Sequence, residues 1–547
     1  MDEKKLDPEF DPHGDLPIRP WDEPPGEPGS FTRFVLPFAY RVAPWKSSHE
    51  PGQYYQEGFG VSPSKMADRR AYFTADTGFI LFDRTKWFEL NAAATTHTIA
   101  GRDLKPLKIA MPPPRLVLPE WPAEIEAKSE NASREVLRTG FLIIEARFLN
   151  EGCEWQMRDL LAFNETFRYW RRPWPGMESE VRKGCEGYRY CDMVPGYDAN
   201  DPFFGRWEQW LRLPLKVGGQ FLSIVPGAED GTMWIEEARR WQESSEGKPG
   251  WIPYADTRTF VWACALVKGN AVKVRKNAYG NWVKLLNVDP PNDTPESPLW
   301  DCTEFEREWA EDRTYKRWEH DGTTHGFSYH SGAVLGPAGN SWIAGVFGRI
   351  YFDLLLILFY LRVTCFRFSR ELCTVSTHLP VGEKTEGAPF VEEIRRLRLS
   401  FALLTNLYEF PLLSNQQQGM EMYAIAKRHL DVQELFDETR GKISAAHEFV
   451  EMQLAHEQNQ QILNLTKVAQ YGLVLVLVVT FFSTIPLNDW IRPWYVRLMK
   501  SALSAVHGNP YYGSALGDLV AVVVLLFAGF VSFHWIWKRF LSRNHRG

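Results

Sequence analysis

The chain has 547 residues, 24% of them charged, and a net charge of −6. It is long enough for more than one domain and a sizeable core. The charge balance excludes a strongly basic nucleic-acid binder, so no nucleic-acid duplex is expected as a partner.

In chain order, residues 1–30 are rich in Pro, Asp and Glu and hold no apolar run. They are expected to be a disordered leader rather than a signal peptide. Residues 31–340 read as a soluble α/β domain. FTRFVLPFAYRV, AYFTADTGFILF, TGFLIIEARFL, RTFVWACALV and NWVKLLNV have the β-branched and aromatic content of strands. REVLRTG, EWQMRDLLAFNETFRYW and TEFEREWAEDRTYKRWEH read as helices, with RRPWPGMESE and VDPPNDTPESP as loops. The 22 Trp gather mainly in the first 350 residues and suit a core. Seven cysteines, an odd number without a C-x-x-C pair, argue for a reducing compartment and against a disulfide framework.

Residues 341–430 read as the helical part of this domain. SWIAGVFGRIYFDLLLILFYLRV is long and apolar, but Arg349 and Asp353 interrupt it. Four residues apart, they are placed to pair on one helix face, so this segment is expected to be a buried helix rather than a membrane span. PVGEKTEGAP is a loop, and FVEEIRRLRLSFALLTNLYEF a helix ended by Pro411.

From Asp431, an expected N-cap, the chain holds no Pro before residue 486. Val432, Leu435, Phe436, Ile443, Ala446 and Phe449 or Val450 form an apolar stripe. One helix of about 55 residues, on the order of 80 Å long, is therefore expected. Residues 431–467 would be a stalk and 468–487, free of charge, a first transmembrane helix. A 31-residue external loop follows at 488–518, then a second apolar span at 519–537 and a basic tail at 538–547. With no export signal, both termini are expected in the cytoplasm, which the basic tail supports.

A soluble α/β domain, a stalk helix continuous with the first span, a second span and a basic tail: this order resembles the CorA family of magnesium transporters. The likeness is closest in residues 431–487, where TKVAQYG, the apolar run and Thr480 look like that family's pore helix. It implies a homopentamer in a bacterial inner membrane, with a cytosolic funnel that senses divalent cations and a pore lined by the first span. The Gly-Met-Asn signature of the family is replaced by Pro486-Leu487-Asn488 or Leu487-Asn488-Asp489. Asn488 and Asp489 would then form the pore mouth, with magnesium or another divalent cation as the ion.

The spacing of the span fits a pore. Thr466, Gln470, Leu473, Leu477, Thr480 and Thr484 share one helical face. Polar rings there would hold a cation's water shell, and Leu473 and Leu477 would form a constriction that closes by dewetting. The alternative is that the hydroxyls bond to backbone or neighbouring helices. The stalk carries seven acids against three bases, which suits a cation path or simply a solvated face.

His320, His325 and His330, with Asp321 beside the first, are the candidate metal ligands, five residues apart and so dependent on an irregular loop. Phosphate-loop, dinucleotide, zinc-protease and serine-hydrolase motifs are absent, so an enzyme is not expected. Two further readings are a pore opened by a small-molecule or nucleotide ligand of the α/β domain, as in bacterial defence effectors, and a membrane-tethered scaffold that conducts nothing.

Overall fold

The computed structural model describes residues 16–21, 27–45, 49–58, 63–100, 106–120, 138–151, 154–168, 206–225, 258–269, 279–291, 304–377, 388–410 and 412–484, with 497 and 529. The chain divides into two compact units, Met1–His447 and Glu448–Gly547.

The first unit is built on strand β1 (Phe31–Pro44). It is long enough to serve two neighbours on one side. Phe31–Val35 pairs with β10 (Phe260–Val267), and Arg41–Pro44 pairs with β9 (Gln220–Val225). Along its other edge, Phe31–Tyr40 runs antiparallel to β7 (Arg138–Leu149). From β9 the ladder continues through β8 (Leu215–Val217), β2 (Tyr55–Glu57), β3 (Lys86–Leu90) and β6 (Arg115–Leu118) back to β7. The pairings therefore close into a ring of strands. Beyond it, β5 (Pro106–Met111) and β4 (Thr95–Ala100) extend from β7. On the far side β10 lies parallel to β13 (Ser331–Pro337), followed by β12 (Thr324–Phe327) and β11 (Thr314–Tyr315).

Strands β7 and β10 are almost continuously buried because both faces are covered. On one face lies α3 (Met157–Phe167), started by the Asp159 carboxylate, which accepts from the Gln156 backbone N–H at 2.9 Å. Its Phe163 ring packs 5.8 Å from Phe34 and 5.4 Å from Phe148. The opposite face meets the helical run α7 (Ser341–Val346), a π-helical turn (Phe347–Tyr351) and α8 (Phe352–Thr377). Trp262 of β10 stacks on Phe347 with 3.9 Å between ring centres. Gly332 of β13 is required here, since a Cβ would lie 2.2 Å from the Trp262 ring.

Several sequence expectations fail in this unit. AYFTADTGFILF is not a strand but the end of α1 (Pro63–Tyr72), α2 (Ala75–Phe79) and a π-helical turn at Ile80–Arg84. Thr74 caps α2, its hydroxyl accepting from Thr77 N–H at 3.4 Å. NWVKLLNV lies in α5 (Tyr279–Asn287). Its buried Trp282, Leu285 and Leu286 have the three- and four-residue spacing of a helix, which a short apolar run hides. The third helix forecast, TEFEREWAEDRTYKRWEH, stops early: α6 covers Glu304–Asp312, and β11 begins two residues later. Of REVLRTG, the described Arg138–Gly140 begin β7.

The run Ser341–Cys373 is, among the described residues, the one helix long and apolar enough to cross a membrane, and 72% of its most apolar window is buried in the protein. Asp353 has no exposure, and its partner is not Arg349. The wide turn at Phe347–Tyr351 breaks the four-residue register between them. Asp353 instead pairs with Arg69 of α1, whose Nε donates at 2.8 Å, while Arg349 Nε donates to the Gly345 carbonyl. Helix α9 (Ala388–Tyr408), which ends before Pro411 as expected, packs Phe401 5.7 Å from Phe368 of α8. After α10 (Gln417–His429), α11 runs unbroken from Val432 to Thr484. Asp431 stands at its start, accepting from Leu435 N–H at 3.1 Å, but in the left-handed region (φ 52) rather than the extended conformation usual for an N-cap.

Candidate functional site

The stripe at the start of α11 is buried in part. Val432, Phe436 and Ile443 are buried, Leu435 and Ala446 are half-buried, and the Phe436 ring lies 5.1 Å from Phe401. Val450 rather than Phe449 continues the buried positions. Then the pattern ends: from Ala455 to Leu477 the described side chains are exposed, apart from half-buried Gly472. This includes the apolar stretch, with Leu473 at 66%, Val476 at 61% and Leu477 at 61% exposure.

Because α11 is continuous to Thr484, Thr466, Gln470, Leu473, Leu477, Thr480 and Thr484 occupy one arc of about 80° at about 100° per residue. Burial does not separate the part of this arc from Thr466 to Leu477 from the rest, since Val468, Tyr471, Val474 and Val476 are exposed as well. The Thr466 hydroxyl donates to the Ile462 carbonyl at 2.8 Å, satisfied within its own helix. Asn488, Asp489 and, apart from residues 497 and 529, the expected external loop, second span and basic tail lie outside the described residues.

Charges on α11 are partly paired. Lys442 meets Glu438 at 2.5 Å, and Arg440 lies 3.5 Å from Glu409, which follows α9, and 3.7 Å from Asp437. Glu434, Glu448 and Glu457 have no ion-pair partner among the described residues. At exposed positions such pairs contribute little to stability, so the acids matter chiefly as a field.

The three histidines are not brought together, and among the described residues no group of three metal-binding side chains occurs. His320 is exposed on a 3₁₀ turn, 3.3 Å from Asp321. His330 lies in the turn between β12 and β13, its ring 5.0 Å from that of Tyr329. His325 points inward from β12, 5.6 Å from the Tyr351 ring and 6.0 Å from Phe347. Alternation explains this outcome: β12 buries His325 among aromatics, while the other two fall on turns outside the strand. Burial pushes the His325 imidazole down to about 3, and neither ring nitrogen has a hydrogen-bond partner.

Sequence reasoning missed a charge network at the centre of the sheet. Arg33 and Glu145 face each other across β1 and β7, with Nε donating at 2.7 Å. Arg115 and Arg147 donate to the same carboxylate at 2.9 and 2.6 Å. Burial acts to raise the Glu145 carboxyl, but Arg33, Arg147 and Arg115 together outweigh it and hold it below the usual carboxylate range. Arg33 Nη1 donates to the Gly348 carbonyl in the π-helical turn, tying the sheet to the apolar helix. The available signal was charge set among apolar residues inside two strands, Arg33 in β1 and Glu145 with Arg147 in β7.

Compared with known proteins, the chain matches no family model, no curated protein and no solved structure.

Proposed function

We propose that the chain is one subunit of an oligomeric membrane channel that conducts cations, divalent ions such as magnesium among them, through a pore lined by the end of α11. One observation carries this reading. A single 53-residue helix is anchored by buried side chains at Val432, Phe436 and Ile443, yet its described side chains from Ala455 to Leu477, apolar ones included, are exposed apart from half-buried Gly472. A helix apolar all round requires a bilayer or other protein around it. A lipid bilayer and further copies of the chain would supply both.

The order of parts supports likeness to the CorA family, and with it a homopentamer, both termini in the cytoplasm and placement in a bacterial inner membrane. The polar arc from Thr466 to Thr484 would face the axis, and Asn488 and Asp489 would form the outer mouth. Cysteine placed at Thr480 should crosslink neighbouring subunits in membranes, whereas cysteine at Val520 should not. Crosslinking at Val520 alone would put the second span on the axis and overturn the arrangement.

A further inference from the structure

The apolar side chains of α11 change sides near Val450. Val432, Phe436, Ile443 and Val450 are buried and follow one another at helical spacing, so they form one row. Continued past Val450 at steps of three and four, that row reads Gln453, Glu457, Gln460, Asn464 and Lys467. It has turned polar. The row on nearly the opposite side, about 160° around at Met452, does the reverse. Before Val450 it carries Glu434, Glu438 and Glu448. After Val450 it carries Met452, Ala455, Asn459 and Ile462, with Leu463 beside them. Met452, Ile462 and Leu463 are all exposed.

An apolar row that faces away from the buried one needs a different cover. Its spacing names the kind. Steps of three and four continue from Met452 through Thr466 and Leu473 to Val476, a strict seven-residue repeat. On a straight helix such a repeat drifts by about 20° per heptad, and it stays on one side only where helices supercoil around each other. The cover is therefore another helix of similar length.

Three features make that helix a second copy of this chain. Thr466 and Leu473 belong both to this row and to the polar arc, where the channel reading places neighbouring copies. Among the described residues, the other long apolar helical run, Ser341–Cys373, is mostly buried, which leaves α11 itself as the match in length. The row holds no charge from Met452 to Val476, so identical rows meet without like-charge repulsion. Its amide, Asn459, can donate to one copy and accept from the next.

We propose that α11 forms a parallel coiled coil with the α11 helices of other copies, beginning at Met452 in the stalk and continuing into the apolar end. This assembly rests on the channel reading and extends it to the stalk face by which the copies meet.

The test is crosslinking of the full-length protein in membranes of cells that coexpress two differently tagged copies. A cysteine replaces Met452 or Ile462 on the seam, Gln453 or Gln460 on the other row, or Thr480 in the span. A short bismaleimide joins the thiols, and the parent chain gives the background of the native cysteines. Met452 and Ile462 are exposed in the single chain, so their replacement leaves its fold intact. Met452→Cys and Ile462→Cys should give products that carry both tags, several-fold more abundant than those of Gln453→Cys and Gln460→Cys. Equal crosslinking on the two rows overturns the proposal. So does a seam product that joins one tagged copy to a different protein. Crosslinking at Thr480 without any at Met452 or Ile462 overturns the stalk coiled coil and leaves the channel reading standing. Seam products from a protein that conducts no cations support the coiled coil and sink the channel.

Discussion

Two apolar helical segments in this chain meet opposite fates. The run Ser341–Cys373 has the length and hydropathy of a membrane span, yet most of it is buried between the sheet and neighbouring helices. The end of α11 is also rich in apolar residues, and its described side chains are exposed apart from half-buried Gly472. The difference lies in what each segment carries among its apolar residues. The first holds Asp353, and another element supplies Arg69 to meet it. It also offers the Gly348 carbonyl to Arg33. The end of α11 carries no charge after Lys467, and Thr466 satisfies its hydroxyl locally. Apolar length therefore does not decide where a helix resides; the partners its polar groups require do.

That contrast is broken most severely at the buried pair. Replacing Asp353 by Ala leaves the Arg69 guanidinium without its carboxylate and should destabilise the α/β unit by about 3–5 kcal/mol. Chemical denaturation checks it; a loss under about 1 kcal/mol would mean that Arg69 finds another partner or water. Replacing both by apolar residues of similar volume should cost far less.

A second prediction concerns acid. His325 is neutral and buried, with its pKa lowered to about 3 from an ordinary 6.5. The unfolded chain binds its proton first, so stability is complete above about pH 6.5 and falls as pH drops toward 3. The single group should remove about 2 kcal/mol by pH 5. His325→Leu should flatten this part of the pH–stability curve. An unchanged slope between pH 6.5 and 5 would assign the acid sensitivity to other groups.

The fold was legible where one rule dominated. β1, β7 and β10 show continuous β-branched and aromatic runs, α3 and α9 show helical spacing, and α11 holds no breaker over its length. Misreadings came where two rules competed. Residues 281–288 are both apolar enough for a strand and correctly spaced for a helix, and packing chose the helix. At Arg349 and Asp353 the four-residue spacing was sound for an α-helix, but the π-helical turn between them could not be read from composition. The histidines failed for a different reason. Equal spacing says nothing about direction when a strand edge and two turns separate the residues. The polar arc of α11 was legible as an angular pattern, but what it faces depends on neighbours that the single chain does not contain.

The smallest expected effect on stability is at Leu477. Exposed in the single chain, its replacement by Ser should change denaturation of the α/β unit by no more than about 0.5 kcal/mol. Its effect on conduction should be large, because a narrow apolar ring excludes water and a hydroxyl ring admits it. Val476, about 100° around the helix, is exposed to the same degree and serves as the control. Single-channel recording of the purified protein in planar bilayers, comparing Leu477→Ser with Val476→Ser, tests the central claim most directly. A cation conductance with a higher basal open level in Leu477→Ser than in Val476→Ser is the predicted result. No conductance in either variant, or a larger rise in Val476→Ser, would contradict a pore lined by the polar arc of α11.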